Sequence, residues 1–112
     1  IRAEVLCGED LLDSIDIECA YGADLMSDVL AFARPGSLLL TGLTNIQIVR
    51  TAQMLDLPSV VFIRGKKPQE AAVKLASQIK MPILVCQMSM FETCGILFQK
   101  GILPCHIPDR GV

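Results

Sequence analysis

The sequence contains no tryptophan and one tyrosine, although hydrophobic residues make up 52% of its 112 residues. This composition indicates an aliphatic interior rather than an aromatic-rich binding surface. Apolar runs are far shorter than the roughly 20 residues that a membrane-spanning helix needs, so we expect no membrane association. A chain of this length can bury a core without disulfides or metals, so we expect one soluble domain over residues 1–112. It begins without a methionine, so we expect further residues to precede Ile1 in the gene product.

Signatures of metal binding and catalysis are also missing. The chain has one histidine, His106, no C-x-x-C spacing and no G-x-x-x-x-G-K-[ST] phosphate-binding loop. We therefore predict no metal, no cofactor and no enzyme activity, with an enzyme kept as a lesser alternative. We expect the cysteines to be reduced thiols in a cytoplasmic protein. These are Cys7, Cys19, Cys86, Cys94 and Cys105.

Acidic and basic residues are unevenly distributed along the chain. Residues 1–30 carry eight acidic and one basic residue, whereas residues 31–112 carry four acidic and nine basic residues. This division can mark an electrostatic partner surface, or the two segments can meet and neutralise each other within the fold. The overall net charge of −2 argues against nucleic acid as a partner.

A strand–loop–helix unit occurs three times in succession. Its apolar runs lack the alternation of a half-exposed strand, so we expect helices on both faces of the sheet. The predicted strands span residues 37–41, 59–63 and 82–86, and the helices that follow them span residues 45–55, 68–80 and 89–100. This order predicts an α/β fold, a three-layer α/β/α sandwich with a mostly parallel sheet.

Capping signals stand at the starts of these predicted helices. Thr44 with Gln47, and Ser89 with Glu92, have the spacing of a capping box. Pro68 is suited to the first position of its helix. These local signals support the predicted helix boundaries.

The N-terminal third follows a different pattern. Residues 3–7 and the alternating residues 15–19 predict two strands that form an N-terminal hairpin at the sheet edge. A helix is predicted over residues 24–33, with Asp24 as its N-cap. Residues 102–108 are predicted to form a short extended tail.

Loops that follow parallel strands emerge at one edge of the sheet, where open α/β folds bind ligands. Cations and helix starts at this edge favour an anion. The candidate ligand-binding residues are Thr41, Gly42, Thr44, Arg64, Lys66, Lys67 and Ser89. Each also has a plain structural explanation, as part of a solvated basic loop, a capped turn or, for Ser89, an N-cap.

The last predicted helix is apolar around more of its circumference than one sheet face can bury. We therefore expect a homodimer with Met90, Phe91 and Phe98 at the interface. Alternatively, the N-terminal hairpin or residues preceding Ile1 cover this surface.

Residues 23–103 resemble the DRTGG domain family. The resemblance lies in residues 34–42 (RPGSLLLTG), 64–66 (RGK) and 89–95 (SMFETCG). The signature Asp-Arg-Thr-Gly-Gly is absent, and Thr41-Gly42 keeps two of its residues. The family is related in fold to the N-terminal domain of bacterial HPr kinase/phosphorylase, which implies a single DRTGG-like domain with an α/β/α sandwich.

Members of this family occur alone or beside CBS, phosphotransacetylase or pyrophosphatase domains. The resemblance therefore implies a regulatory or dimer-forming module without its own catalysis. Together with the basic loop, it predicts a module that senses a small anionic ligand, such as a nucleotide or a phosphate-containing metabolite, or docks to a partner enzyme. The alternative is a purely structural interaction subunit without a ligand.

Overall fold

The computed structural model describes residues 3–7, 17 and 19–104. The strands are β1 (Ala3–Cys7), β2 (Cys19–Gly22), β3 (Ser37–Thr41), β4 (Ser59–Phe62), β5 (Ile83–Cys86) and β6 (Leu103–Pro104). The helices are α1 (Met26–Phe32), α2 (Ile46–Met54), α3 (Glu70–Gln78) and α4 (Met90–Gln99). The three predicted strand–loop–helix units are confirmed, with boundaries that differ by no more than two residues.

The strands of the described residues form one sheet in the order β1-β5-β4-β3-β2-β6. Strands β2 to β6 are parallel, and β1 pairs antiparallel with β5 at one edge. The mostly parallel sheet is therefore confirmed. Of the predicted tail, Leu103–Pro104 forms β6 beside β2, and residues 105–108 lie outside the described part of the chain.

The predicted N-terminal hairpin is wrong. Strand β1 is an edge strand, but β2 lies near the opposite edge, between β3 and β6. The prediction assumed that consecutive strands pair, which holds in only about two-thirds of cases. In the sheet, β1 and β2 are separated by four strand spacings of about 4.8 Å each. The eleven residues between the two strands are enough to span that distance. Residue 17 is not in a strand, and residues 15, 16 and 18 lie outside the described residues.

Helices cover both faces of the sheet, which gives the three predicted layers. Leu39, Val60 and Phe62 point to one face and pack with α1, α2 and α3. The intervening residues of β3 and β4 point to the other face, where α4 supplies the packing partners. Because successive side chains of a strand alternate between faces, each buried strand contributes to both cores.

The helix starts agree with the predicted caps at one of three positions. At α4, Ser89 accepts a hydrogen bond from the Glu92 amide and the capping box is complete. At α2, the cap is the Asn45 side chain, which accepts from the Ile48 amide, in place of Thr44. At α3, the N-cap is Gln69, so Pro68 precedes the helix rather than beginning it.

Helix α1 begins at Met26 with Leu25 as its N-cap, and it has no side-chain capping hydrogen bond. The prediction that Asp24 caps this helix is therefore wrong. The Asp24 carboxylate instead accepts a hydrogen bond from the Gly42 amide, 18 residues away in sequence. A long-range hydrogen bond of this kind leaves no local sequence signal, whereas capping signals are local.

Two of the chemical predictions can be compared with the described residues. Cys86 and Cys94 are free thiols, but Cys19 is disulfide-bonded, so the prediction that all five cysteines are reduced is wrong. Cytoplasmic localisation, which rested partly on reduced cysteines, stays a prediction. Within residues 3–7, 17 and 19–104, no helix has the length and apolar character required to cross a bilayer.

Candidate functional site

The loops that follow β3, β4 and β5 lie side by side at the carboxyl edge of the sheet, as predicted. The Arg64 amide donates to the Met88 carbonyl over 2.8 Å, and the Gly65 amide donates to the Cys86 carbonyl over 2.8 Å. The Gln69 amide donates to the Thr44 carbonyl, also over 2.8 Å. These hydrogen bonds join the three loops into one surface, which we call the loop cluster (residues 41–45, 64–69 and 87–89).

A fourth segment, which follows β2, joins this edge through Asp24. One carboxylate oxygen of Asp24 accepts from the Gly42 amide over 2.7 Å. The other lies 3.4 Å from Nη1 of Arg64. Both side chains are partly exposed, at 46% for Asp24 and 41% for Arg64. The loop cluster therefore already binds one oxyanion, the Asp24 carboxylate, through a backbone amide and a guanidinium.

The Asp24 contact is the main site feature that the sequence analysis missed. Asp24 follows the last strand residue of β2 by two positions, and β2 is parallel to β3. Placing it at the carboxyl edge required knowledge that β2 joins the parallel sheet beside β3. The sequence did contain one signal, which is an acidic residue that follows a short strand. The basic residues were chosen as ligand-binding candidates from the same kind of position.

At two glycines of the loop cluster, neighbouring side chains occupy the space that a Cβ would need. A Cβ at Gly42 would collide with Nη2 of Arg64, and a Cβ at Gly65 would collide with Oε1 of Gln87. Arg64 and Gly65 also have positive φ angles of 57° and 66°. Because Arg64 is not a glycine, its left-handed backbone is uncommon. It allows the Lys66 amide to reach the Ile63 carbonyl over 3.1 Å, which closes the turn.

The backbone amides that were predicted to bind an anion already donate hydrogen bonds within the protein. The Gly42 amide binds Asp24, and the Leu43 amide donates to Oγ1 of Thr41 over 3.1 Å. The amides of Arg64, Gly65 and Lys66 donate to backbone carbonyls. Thr41 is itself fully buried, so its hydroxyl holds the turn. The loop after β3 thus matches the plain turn that the sequence left open as an alternative.

The exposed charged side chains of the loop cluster are all basic. Lys66 and Lys67 are both exposed, and the ion pairs found among the described residues are Arg64 with Asp24 and Lys74 with Glu70. Arg64, Lys66 and Lys67 outnumber the carboxylates of Asp24 and of Glu92, which binds Ser89, so a local excess of one positive charge remains. Such an excess attracts anions even where the amides are occupied.

Ser89 has a structural role. Its hydroxyl accepts from the Glu92 amide over 3.2 Å and donates to Glu92 Oε1 over 3.1 Å. This agrees with the capping explanation. The Thr44 side chain is half-buried beside these loops, and its carbonyl binds the loop that precedes α3.

An apolar groove lies on the face of the sheet that α4 covers, between α4 and strands β2 and β6. Its volume is about 240 Å³. We call it the α4 groove, and it is lined by Ala20, Tyr21, Gly22, Leu40, Cys94, Leu97, Phe98, Ile102, Leu103 and Pro104. Burial raises the pKa of the Cys94 thiol above its ordinary value, which disfavours a nucleophilic thiolate there.

The three predicted interface residues are not equivalent. Phe91 and Phe98 are 88% and 62% exposed. Met90 instead packs against the core on the α4 face, close enough to Gly22 that a Cβ there would meet its sulfur at 2.8 Å. Met90 is therefore largely a core residue, and the exposed apolar surface of α4 consists of its phenylalanines.

No protein-family model matches this sequence. No curated protein matches it either.

Among solved structures, the chain is similar to the CBS and DRTGG domains of the regulatory region of Clostridium perfringens pyrophosphatase. The match has a TM-score of 0.66 at 16% sequence identity and covers 98% of this chain and 48% of the other. The chain thus spans about half the length of that protein chain. At this identity the similarity shows the fold, which is DRTGG-like.

Proposed function

We propose that the chain is a non-catalytic regulatory module, which binds a small anionic ligand at the loop cluster and forms a homodimer. The observation that carries the proposal is the Asp24 carboxylate, held by the Gly42 amide at 2.7 Å and by the Arg64 guanidinium at 3.4 Å. An amide and a guanidinium also bind phosphate oxygens. The ligand class is a nucleotide or another phosphate-containing metabolite.

The solved relative supports this proposal at the level of function class. That relative is part of a regulatory region, and it was solved in complex with an activator, diadenosine tetraphosphate. A related fold in a regulatory region agrees with a module that acts on a partner enzyme rather than as an enzyme itself. Fold similarity does not transfer a ligand site, so the site assignment rests on the loop cluster of this chain.

Asp24 gives the proposed binding a specific mechanism. In the structure its carboxylate occupies the two donors that a phosphate would use. An incoming anion would displace it, with Lys66 and Lys67 supplying additional positive charge beside the start of α3. Because Asp24 is close to half exposed, its side chain can turn into water without the cost of burying an unpaired charge.

A second function, that of a purely structural interaction subunit, is favoured by the closed hydrogen bonding of the loops. The amides from Gly42 to Leu43 and from Arg64 to Lys66 are all used internally. Loops closed by their own groups are what a scaffold without a ligand requires. The two functions differ in whether the exposed lysines bind anything.

Isothermal titration calorimetry distinguishes the two functions. The probes are inorganic pyrophosphate, acetyl phosphate, ADP and diadenosine tetraphosphate. We expect at least one probe to bind the unaltered chain, and Lys66→Glu with Lys67→Glu to weaken its binding more than about tenfold through charge reversal. The matched control is Arg50→Glu with Lys80→Glu, which reverses two exposed cations outside the loop cluster and should bind normally. Absence of heat with all four probes would favour the structural subunit, and equal loss in both double variants would contradict the loop cluster as the binding site.

A further inference from the structure

The disulfide at Cys19 can be assigned to one partner by elimination. The chain has five cysteines, and Cys86 and Cys94 are free thiols, which leaves Cys7 and Cys105. Cys7 ends β1 at one edge of the sheet, whereas Cys19 begins β2 four strand positions away. That separation is about 19 Å, and the Cα atoms of a disulfide lie within about 7 Å of each other. The backbone positions therefore exclude Cys7.

Cys105 stands within reach of Cys19 along the chain. It lies outside the described residues, but it follows Leu103 by two positions, and Leu103 pairs with Cys19 in the sheet. Two residues reach at most about 7 Å, and neighbouring strands are about 4.8 Å apart. The Cα atom of Cys105 can thus come within the distance that a disulfide spans.

The main chain of β6 is a weak attachment to β2. Strand β6 is two residues long, both of them are exposed, and Pro104 has no amide to donate to the sheet. The chain before it is anchored at the end of α4, where the Ile102 amide donates to the Leu97 carbonyl over 3.0 Å. A short strand close to a chain end opens readily unless it is tied down.

We propose that Cys19 and Cys105 form a disulfide that holds β6 against β2, and that reduction of this disulfide releases β6 and opens the α4 groove. Both residues of β6 line that groove, together with residues of β2 and α4. Release of β6 removes one wall of the groove and leaves the edge of β2 free to pair with another strand. The disulfide thus controls access to an apolar surface.

A dithiol is the class of reductant that opens this bond. Cys19 is only half-buried and lies beside the edge strand β6, and exposed disulfides are the labile ones. One thiolate of the dithiol attacks a disulfide sulfur, so the S–S bond breaks, a mixed disulfide forms with one cysteine and the other leaves as a thiolate. The second thiolate of the dithiol then displaces the first cysteine and closes a cyclic disulfide. Two electrons and two protons thus pass from the dithiol to Cys19 and Cys105.

Peptide mapping of the full chain, purified without reductant, tests the pairing. Digestion with trypsin and Glu-C cleaves after Glu9 and Glu18, which separates Cys7 from Cys19. We expect a disulfide-linked pair of peptides that contains Cys19 and Cys105, and we expect dithiothreitol to separate it. A link between Cys19 and Cys7, a doubled mass of the unreduced chain from a link between two copies, or five free thiols would overturn the proposal.

Hydrogen–deuterium exchange with and without dithiothreitol tests the release of β6. We expect the amides of β2 and β6 to exchange about tenfold faster or more after reduction, because they open locally, while β4 in the interior of the sheet is unchanged. Cys105→Ser should show the fast exchange under both conditions. Cys7→Ser is the matched control, and it should respond to dithiothreitol as the unaltered chain does.

Exchange in β2 and β6 that reduction leaves unchanged would contradict the proposal, because β6 would then be held by other contacts. An equal increase in β4 would also contradict it, because the disulfide would then stabilise the whole fold rather than one strand. Both measurements are made without a phosphate compound, so neither result depends on anion binding at the loop cluster.

Discussion

At the scale of single residues, three residues at the carboxyl edge, Asp24, Gly42 and Arg64, behave as one unit. A Cβ at Gly42 would stand where the Arg64 guanidinium lies, so a larger residue there would displace this guanidinium. Asp24 is held by both of its neighbours. The sequence predicted Gly42 and Arg64 as site residues but assigned Asp24 to a helix cap. The difference arises because a cap is a local signal, whereas this carboxylate binds a loop from the next strand.

Asp24→Asn tests whether this carboxylate competes with a ligand. The substitution removes one negative charge beside Arg64 and keeps an oxygen that can accept from the Gly42 amide. We expect the calorimetric affinity for a bound phosphate probe to rise about threefold to tenfold, the effect of removing one nearby charge in a partly solvated site. The ion pair is partly exposed, so stability should change by less than about 1 kcal/mol. Unchanged or weaker binding would contradict the competition between Asp24 and the ligand.

At the scale of secondary-structure elements, the positions of the three repeated strand–loop–helix units were predicted well, whereas most helix caps and the partners of β1 and β2 were not. The capping box of α4 was predicted from Ser89 and Glu92 alone and is confirmed. The pairing of β1 with β5 was not predicted, because it joins residues about eighty positions apart. A strand that turns back to pair with the preceding strand and a strand that crosses to the far edge of the sheet have similar sequence patterns. Which of the two occurs depends on packing across the whole sheet.

Ser89→Ala tests the energetic contribution of this capping box. The hydroxyl accepts from the Glu92 amide and donates to the Glu92 carboxylate. Its loss should lower the free energy of unfolding by about 1 kcal/mol, measured by urea denaturation. Ser77→Ala is the control, because Ser77 is exposed in the last turn of α3 and its loss should change stability by no more than about 0.5 kcal/mol. Equal effects of the two substitutions would show that the cap adds nothing to the stability of α4.

At the scale of the whole molecule, the uneven charge distribution is partly resolved within the fold. Asp24 from the acidic N-terminal third pairs with Arg64 from the basic remainder. Lys66 and Lys67 stay exposed, so the edge keeps the positive charge on which the proposed function depends. The apolar surface of α4 lies on one face of the same sheet. The molecule thus presents two separate surfaces, a positively charged edge of the sheet and the exposed phenylalanines of α4.

The architecture was predictable from the sequence because three apolar strands and three amphipathic helices follow one another in a fixed order. The character of the site was less predictable. The positive charge of the loop cluster follows from the residue types, so it could be predicted from the sequence. Availability of the amides depends on hydrogen bonds formed across the loops, such as Arg64 to Met88 and Gly65 to Cys86. Those hydrogen bonds exist only once the sheet is assembled.

The most direct test of the central claim is an NMR titration of the uniformly ¹⁵N-labelled chain with the phosphate probe that gives the strongest heat. The account predicts concentration-dependent shifts of the Gly42, Gly65 and Lys66 amides, since displacement of Asp24 changes the hydrogen bond at Gly42. Amides of the outward side of α4, such as Gly95, should stay unchanged. A spectrum in which the loop-cluster amides do not move, or in which the shifts concentrate along the α4 groove, would contradict it.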